Sequence, residues 1–528
     1  MRKILSSLAE GVLANRSPGL LLIFCALWLC MTAGIRPLML PDEGRYVGVA
    51  WEMLTSGNWL VPTLDGLPFF HKPPLFYWLT ALALKLFGGN EWAARLASML
   101  AAVLAAGALH LFLRRQADKR LANLAVVVLV TQPLFFAAAQ FANLDLLVAA
   151  MISLTILAGA DAVLSLERGL PHRIALASTY IFAALGVLAK GLIGLLLPGA
   201  VLFVWLLLGK RFRLIPALLP LRLIALFLVL ATPWFWWMEK SYPGFWDYFF
   251  VYHHFRRFAE TGFNNQLPFW FYVPVLLVGT LPWSPWIYRA CSRHFLIGGE
   301  RFAIRSLMII WLSVILVFFS LPSSKLVGYI LPTLPPMAYL IADVLLIWLP
   351  GTRRADAAAW PGLCLVVAGT ACLSLVLLVA RLDHGSSRSL VDQVLPMFHT
   401  DDQIVMIEDY QYDLPFYLRA RKHPWVVSDW RDPDLPAKDN WRKELYDAGQ
   451  FDPVNRQEYL VLPGEFTARL CGYSGGALWL WGKNRLSSQY PFLQDQAVVF
   501  SDGKRSLWRL DAASRRTLKP CAETPSSG

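Results

Sequence analysis

Two adjacent carboxylates, an arginine and a tyrosine stand together in the run Pro41-Asp42-Glu43-Gly44-Arg45-Tyr46. Paired acids of this kind suit a general base for an attacking hydroxyl, or part of a divalent-metal site. A plainer reading is also open. Pro41 can begin a helix, with Asp42 and Glu43 complementing the positive end of its dipole. Further on comes Phe69-Phe70-His71-Lys72-Pro73-Pro74-Leu75-Phe76-Tyr77-Trp78. Lys72, set among aromatic residues and prolines, can act as a point charge for a phosphate. It can equally reach out to lipid headgroups. Between the two runs, Trp51-Glu52-Met53-Leu54 and Gly57-Asn58-Trp59-Leu60-Val61-Pro62 suggest a helix on a membrane surface followed by a turn.

The elements that carry these residues are set by lipid. Of 528 residues, 56% are hydrophobic and 16% charged, against about 25% charged in soluble domains. The mean hydropathy is +0.48, which makes the bilayer the main solvent. Tryptophan, at 22 residues, suits aromatic belts at membrane interfaces. Trp234, Trp236, Trp237, Trp283 and Trp286 are read as such anchors. The net charge of +12 falls in short clusters between apolar runs. That pattern points to loop orientation and anionic lipid, and away from nucleic acid. Cys25, Cys30, Cys364 and Cys372 lie in apolar runs and read as core residues. Cys471 and Cys521 fall in a polar region, and the sequence leaves open whether they pair.

Apolar runs of near-spanning length occur at about 19–35, 92–113, 121–139, 145–165, 174–189, 191–209, 216–238, 268–288, 306–322, 326–349 and 360–381. The fold class is therefore a polytopic α-helical membrane protein with about 11 transmembrane helices. The 174–209 stretch, broken at Lys190-Gly191, could instead be one kinked span. With the N-terminus inside, alternate loops carry Arg114, Arg115, Lys119 and Arg120; Arg168 and Arg173; Lys210, Arg211 and Arg213; Arg289, Arg293, Arg301 and Arg305; and Arg353 and Arg354. Each is short and basic, as inside loops should be, and fusing 174–209 would spoil the pattern. The same alternation puts loops 36–91 and 239–267 outside, in a membrane domain of residues 1–382. Residues 383–528 read as a small outer α/β domain. Its strands are expected at Gln403–Ile407, Trp425–Val427, Tyr459–Leu462, Ala477–Trp481, Ala497–Phe500 and Ser506–Leu510, and its helices near 387–397 and 411–420. Asp145 and Lys190 lie at span ends. Each can be an interfacial residue, or can face a water-filled cavity. Arg256, Arg257 and Lys325 sit at the outer face on the same alternation.

Taken together, these stretches resemble the bacterial aminoarabinose transferases. That family belongs with the protein O-mannosyltransferases among the GT-C glycosyltransferases. The resemblance rests on Pro41–Tyr46, its spacing to Trp59-Leu60-Val61-Pro62, and Phe70–Trp78. It extends through Asn143-Leu144-Asp145, Leu188–Ile193 with Leu197-Pro198-Gly199, Thr232–Phe235, Pro243-Gly244-Phe245, Phe249–Phe258 and Ser324–Pro332, covering about 36–345. It implies a sugar donor on undecaprenyl phosphate, and transfer on the outer side of a bacterial inner membrane. The acceptor it implies is lipid A or another envelope glycolipid, with a protein hydroxyl also open. It implies that Asp42 is catalytic or organises the acceptor. Arg45 and Lys72, with Tyr46 nearby, would hold the carrier phosphate. Asp145 would be a second acid, and His254 a histidine of the second outer loop.

The chain departs from that family in two places. The acid before the lysine is His71, and a Glu-His pair is His253-His254. His71 and His254 are thus the candidate ligands of a divalent metal, and two ligands are too few to establish one. The region after the membrane domain is also shorter, which leaves the sugar open. On this reading Asp42 is the base, with Glu43 as its substitute. Arg45, Lys72, Arg256 and Lys325 would balance the phosphate charge. The rival is a lipid or glycolipid flippase without transferase chemistry, but no internal repeat supports it.

Overall fold

A computed structural model describes residues 11, 17–256, 266–292, 295–296, 299–348, 355–382, 385–518 and 521, without the side chains of 253–256 and 355–358. The chain forms two compact units. One comprises Met1–Arg36, His71–Leu79 and Glu91–Leu382, and the other Pro37–Phe70, Thr80–Asn90 and Asp383–Gly528.

The first unit is helical. Among the described residues, seven helices are long and apolar enough to cross a membrane: Glu91–Gln116, Leu144–Glu167, Arg173–Lys190, Leu221–Ser241, Phe302–Ser320, Val327–Trp348 and Ala359–Arg381. The pair Lys119–Val130 and Pro133–Ala139, bent by 67°, makes an eighth if the two count as one broken span. Pro133 lacks the N–H that would continue the first helix, so the chain restarts there. The expected spans at 19–35, 191–209 and 268–288 fall on shorter apolar helices, Pro18–Cys30, Ile193–Leu208 and Phe269–Gly279. The 174–209 stretch is two helices broken at Gly191 and Leu192, not one kinked helix.

Ion pairs sort the loops into two sets. Arg115 meets Asp161 at 3.0 Å, and Arg211 donates to Glu167 at 2.6 Å. Arg301 pairs with Asp118 and with Asp343 at 2.6 Å, and Arg305 joins Asp343, also at 2.6 Å. These contacts bring four of the basic loops expected to share a side to one end of the helices. At the other end, Arg36 donates to the Gln140 carbonyl at 2.7 Å, and the buried Arg95 donates to the Arg36 carbonyl at 2.9 Å. Both arginines thereby satisfy backbone oxygens where the first span ends.

The tryptophans divide. Trp236 and Trp237 are exposed, with Lys240 over both rings, as interface anchors should be. Trp234 and Trp283 are buried, and Trp283 donates to the Thr131 hydroxyl at 3.1 Å. They are core residues, which corrects the uniform reading. Cys25, Cys364 and Cys372 are buried as expected.

The second unit joins part of the first outer loop to the polar tail. A two-residue turn at Asp65-Gly66 links β1 (Thr63–Leu64) to antiparallel β2 (Leu67–Pro68). Both turn residues have positive φ, 56° and 70°, the requirement that favours Asp-Gly in such hairpins. Glu52 accepts from the backbone N–H of Asp65 at 2.6 Å and of Gly66 at 3.0 Å. Burial, then the neighbouring Glu52, pushes the Asp65 carboxyl well above the usual range, which favours its neutral form.

The tail carries β3 (Gln403–Ile407), β4 (Trp425–Val427), β5 (Leu460–Val461), β6 (Leu478–Lys483), β7 (Val498–Ser501) and β8 (Arg505–Leu510). All six expected strands are present. The sheet order is β5-β4-β3-β6-β8-β7, parallel from β5 to β6 and antiparallel beyond. Its core packs Val405, Ile407, Phe466, Leu480 and Trp508. Cys471 and Cys521 form a disulfide with Cα atoms 5.2 Å apart, which answers the question the sequence left open.

Asp413 supplies a pH-dependent contribution to this unit. It is fully buried and accepts from the Ser386 and Ser387 hydroxyls at 2.9 and 2.8 Å. Burial nevertheless pushes its pKa from 3.8 to about 6. The folded state therefore holds a proton that the unfolded chain releases from about pH 4 upward. The stabilisation is complete below the unfolded pKa and is lost as pH rises through about 6. Denaturant unfolding at pH 4 and at pH 7 should show wild type losing about 2 kcal/mol relative to Asp413→Asn. A pH-independent difference between the two proteins would contradict this.

Candidate active site

The helix Asp42–Ser56 places the acidic run in its first turn. Glu43 is 0% exposed and accepts from the Met39 N–H at 2.8 Å. It therefore fastens the turn that leads into the helix, a structural task rather than the catalytic one expected. The Asp42 side chain is 46% exposed and paired with Arg45. Of the two acids, only Asp42 is open to a substrate.

Arg45 is held from both ends. One terminal nitrogen donates to Asp42 and the other to Glu444. Glu444 also accepts from the Tyr412 hydroxyl at 2.7 Å. Burial, then the charge of Glu444, raises the Tyr412 pKa well above the usual tyrosine range, so the phenol stays a donor. The Arg45 guanidinium lies 5.6 Å from the ring centre of buried Tyr46 and 5.9 Å from that of Tyr412. Gly44 makes the assembly possible. A Cβ there would lie 2.3 Å from a Leu40 methyl and 3.0 Å from the Tyr412 Cβ. Two of the five Arg45 guanidinium N–H donors are given to carboxylates.

A second charged pair forms in the helical unit. Asn143 caps the helix Leu144–Glu167 and accepts from the Asp145 N–H at 2.9 Å. The Asp145 carboxylate bonds Lys190, the last residue of Arg173–Lys190. Lys190 also stands 4.5 Å from the ring centre of Tyr329. Gly328 lies against the same acid, since a Cβ on it would come within 2.2 Å of an Asp145 oxygen. Both residues of this pair are mostly buried, at 13% and 15% side-chain exposure.

The remaining candidates are dispersed. Lys72 is half-buried in the loop before the helix Leu75–Phe87. The His71 ring lies 6.1 Å from that of Tyr248. Lys325 is buried, and its ammonium donates to the carbonyls of Leu267, at 3.0 Å, and Pro322. It joins two backbone segments, a contact made with carbonyls where a phosphate was expected. His254 and Arg256 lie in the π-helix Asp247–Arg256; their side chains, like all of Arg257, are outside the described residues. Among the described residues, no group of three or more histidine, cysteine or acidic side chains could hold a metal.

The fold matches the crystal structure of ArnT from Cupriavidus metallidurans bound to undecaprenyl phosphate. The TM-score is 0.77 over 94% of this chain and 98% of that one, at 22% identity. The chain has the GT-C fold. This GT-C chain is also 34% identical, over 326 residues, to the undecaprenyl phosphate-alpha-4-amino-4-deoxy-L-arabinose arabinosyl transferase of Erwinia tasmaniensis. That match covers 61% of this chain and 58% of the relative. A protein of the same name from Enterobacter sp. is 33% identical over 380 residues, 69% of this chain and 65% of the relative. The GT-C chain thus spans about three-fifths of the length of the curated relatives it matches. The family described as dolichyl-phosphate-mannose-protein mannosyltransferase matches residues 71–237.

Sequence reasoning missed Glu444 and Tyr412. They lie 399 and 367 residues beyond Arg45, and nothing local marks them as its partners. The Asp145–Lys190 contact was half visible, as two intramembrane charges that each needed a partner.

Proposed function

We propose that this protein transfers a sugar from a polyprenyl-phosphate carrier to an acceptor at the outer face of a bacterial inner membrane. The acceptor class is lipid A or another envelope glycolipid. The observation that carries this reading is the half-exposed Asp42 carboxylate, fixed by an arginine that is itself anchored on Glu444. A carboxylate so held suits the base role. The named activity of the relatives supports the donor class. The basic loops gathered at one end of the helices support an N-terminus inside and an active site outside. The Cys471–Cys521 disulfide fits an oxidising compartment for the tail.

The chemistry balances simply. The acceptor hydroxyl oxygen attacks the anomeric carbon while its proton passes to Asp42. The bond from that carbon to the carrier phosphate breaks, and polyprenyl phosphate leaves with the electron pair. One direct displacement inverts the anomeric centre. Arg45 orients Asp42, and the helical unit offers Lys190 and Lys72 as cations for a phosphate. Asp145 holds Lys190 in place.

The decisive experiment supplies membranes containing the protein with undecaprenyl phosphate bearing a labelled sugar. Label should leave the carrier and appear in an envelope glycolipid. Label that crosses the bilayer still attached to its carrier would favour a flippase and end the transferase reading. Lys190→Met should lower the transfer rate by about 10–10²-fold, the value of a charge-assisted hydrogen bond. Lys190→Arg should recover part of that loss.

A further inference from the structure

The sheet of the second unit turns back on itself between two neighbouring strands. From β3 the chain moves outward through β4 to β5, then returns to lay β6 on the opposite side of β3, parallel to it. In open sheets with parallel strands, this reversal leaves a crevice beyond the carboxyl ends of the two strands, and ligands bind there. A cavity of about 770 Å³ lies at that position, bounded by Gln411 after β3, Lys483 to Arg485 at the end of β6, and the β7–β8 turn.

The walls are strongly cationic. Lys483, Arg485, Lys504 and Arg505 all line the cavity. Arg505 is matched by Asp409 at 2.9 Å. Asp502, the lining acid, is turned to its own loop, accepting from the Lys504 and Arg505 N–H groups at 2.8 and 2.6 Å. Among the described residues, nothing forms an ion pair with Lys483, Arg485 or Lys504. Three like charges beside one crevice repel one another, and an anion removes that repulsion. The space exceeds that of a single phosphate and falls in the range of small-molecule sites. Phe500 and Leu390 give it an apolar side, while Gln411 and Asn484, held by the Gly385 and Gly503 carbonyls at 3.3 and 3.0 Å, each keep a second amide N–H. Cations for phosphate, amides for hydroxyls and an aromatic face suit a sugar ring that carries phosphate.

We propose that this crevice is a binding site for a phosphorylated saccharide, separate from the Asp42 site. The proposal does not depend on the transferase reading. The ligand chemistry is shared by a free sugar phosphate and by the phosphorylated headgroup of a glycolipid.

The test uses the full chain in detergent and in lipid nanodiscs. Glucose 1-phosphate should bind at least tenfold more tightly than glucose, and more weakly as salt is raised. Replacing Lys483, Arg485 and Lys504 together by alanine should remove that preference without lowering the melting temperature, since all three are exposed. Asn484→Ala gives an independent uncharged probe and should weaken glucose 1-phosphate more than inorganic phosphate. In nanodiscs, a bisphosphorylated lipid A should bind through the same three residues, and its dephosphorylated form should not. Binding by lipid A alone assigns the crevice to a membrane-borne headgroup, and binding by glucose 1-phosphate alone assigns it to a free sugar phosphate. Binding of both ligands by the triple variant as by wild type would overturn the site. Inorganic phosphate binding as tightly as glucose 1-phosphate would overturn the saccharide assignment.

Discussion

Asp42→Asn should lower transfer by roughly 10²–10⁴-fold, the span attributed to a well-placed general base. The change keeps the size of the side chain, and the amide oxygen can still accept from Arg45. What it removes is the ability to take a proton. Stability should be nearly unaffected, because the carboxylate is half exposed and its pairing with Arg45 is partly redundant with Glu444. The readout is the initial rate of label transfer, with the melting temperature measured alongside. A small loss of rate in a well-folded variant would eliminate the base role. It would favour an acceptor phosphate, which attacks already ionised.

Asp343→Ala should destabilise the helical unit by about 3–5 kcal/mol, as expected when one member of a buried ion network is removed. Asp343 is 0% exposed and receives Arg301, Arg305 and, at 3.4 Å, the Tyr339 hydroxyl. Arg301 keeps Asp118 as a partner. Arg305 donates to the Phe295 carbonyl at 3.2 Å, but its buried charge loses the carboxylate that pairs with it at 2.6 Å. Adding Arg305→Leu to Asp343→Leu should therefore recover much of the loss. Unfolding in mixed detergent measures both variants. If the double variant is no more stable than Asp343→Ala, the stranded-charge account fails.

Much of the architecture could be read from the chain because lipid and sheet each impose a simple pattern. A bilayer demands long apolar runs, and the sheet strands announce themselves through runs such as Gln403–Ile407 and Trp425–Val427. The helices Trp441–Gln450, Pro453–Tyr459 and Pro463–Gly472 went unread. Their signals were present, since Asn440 and Asp452 cap the first two and proline opens the second and third. The site was legible only in its local parts. Asp42 and Arg45 fall one helical turn apart, so their pairing follows from spacing. Glu43 looked as available as Asp42, because nothing in the sequence shows which of two neighbouring acids a turn will bury. Lys325 looked like a ligand for a related reason, since the Leu267 carbonyl it also reaches lies 58 residues away.

The Arg45–Glu444 bond also orders events during biosynthesis. The ribosome releases Asp42 and Arg45 early, and 399 residues must follow before Glu444 exists. Every apolar helix between them has then already emerged. The nascent protein therefore holds only the local Asp42–Arg45 pair throughout insertion, and gains the Glu444 contact after translation reaches the tail.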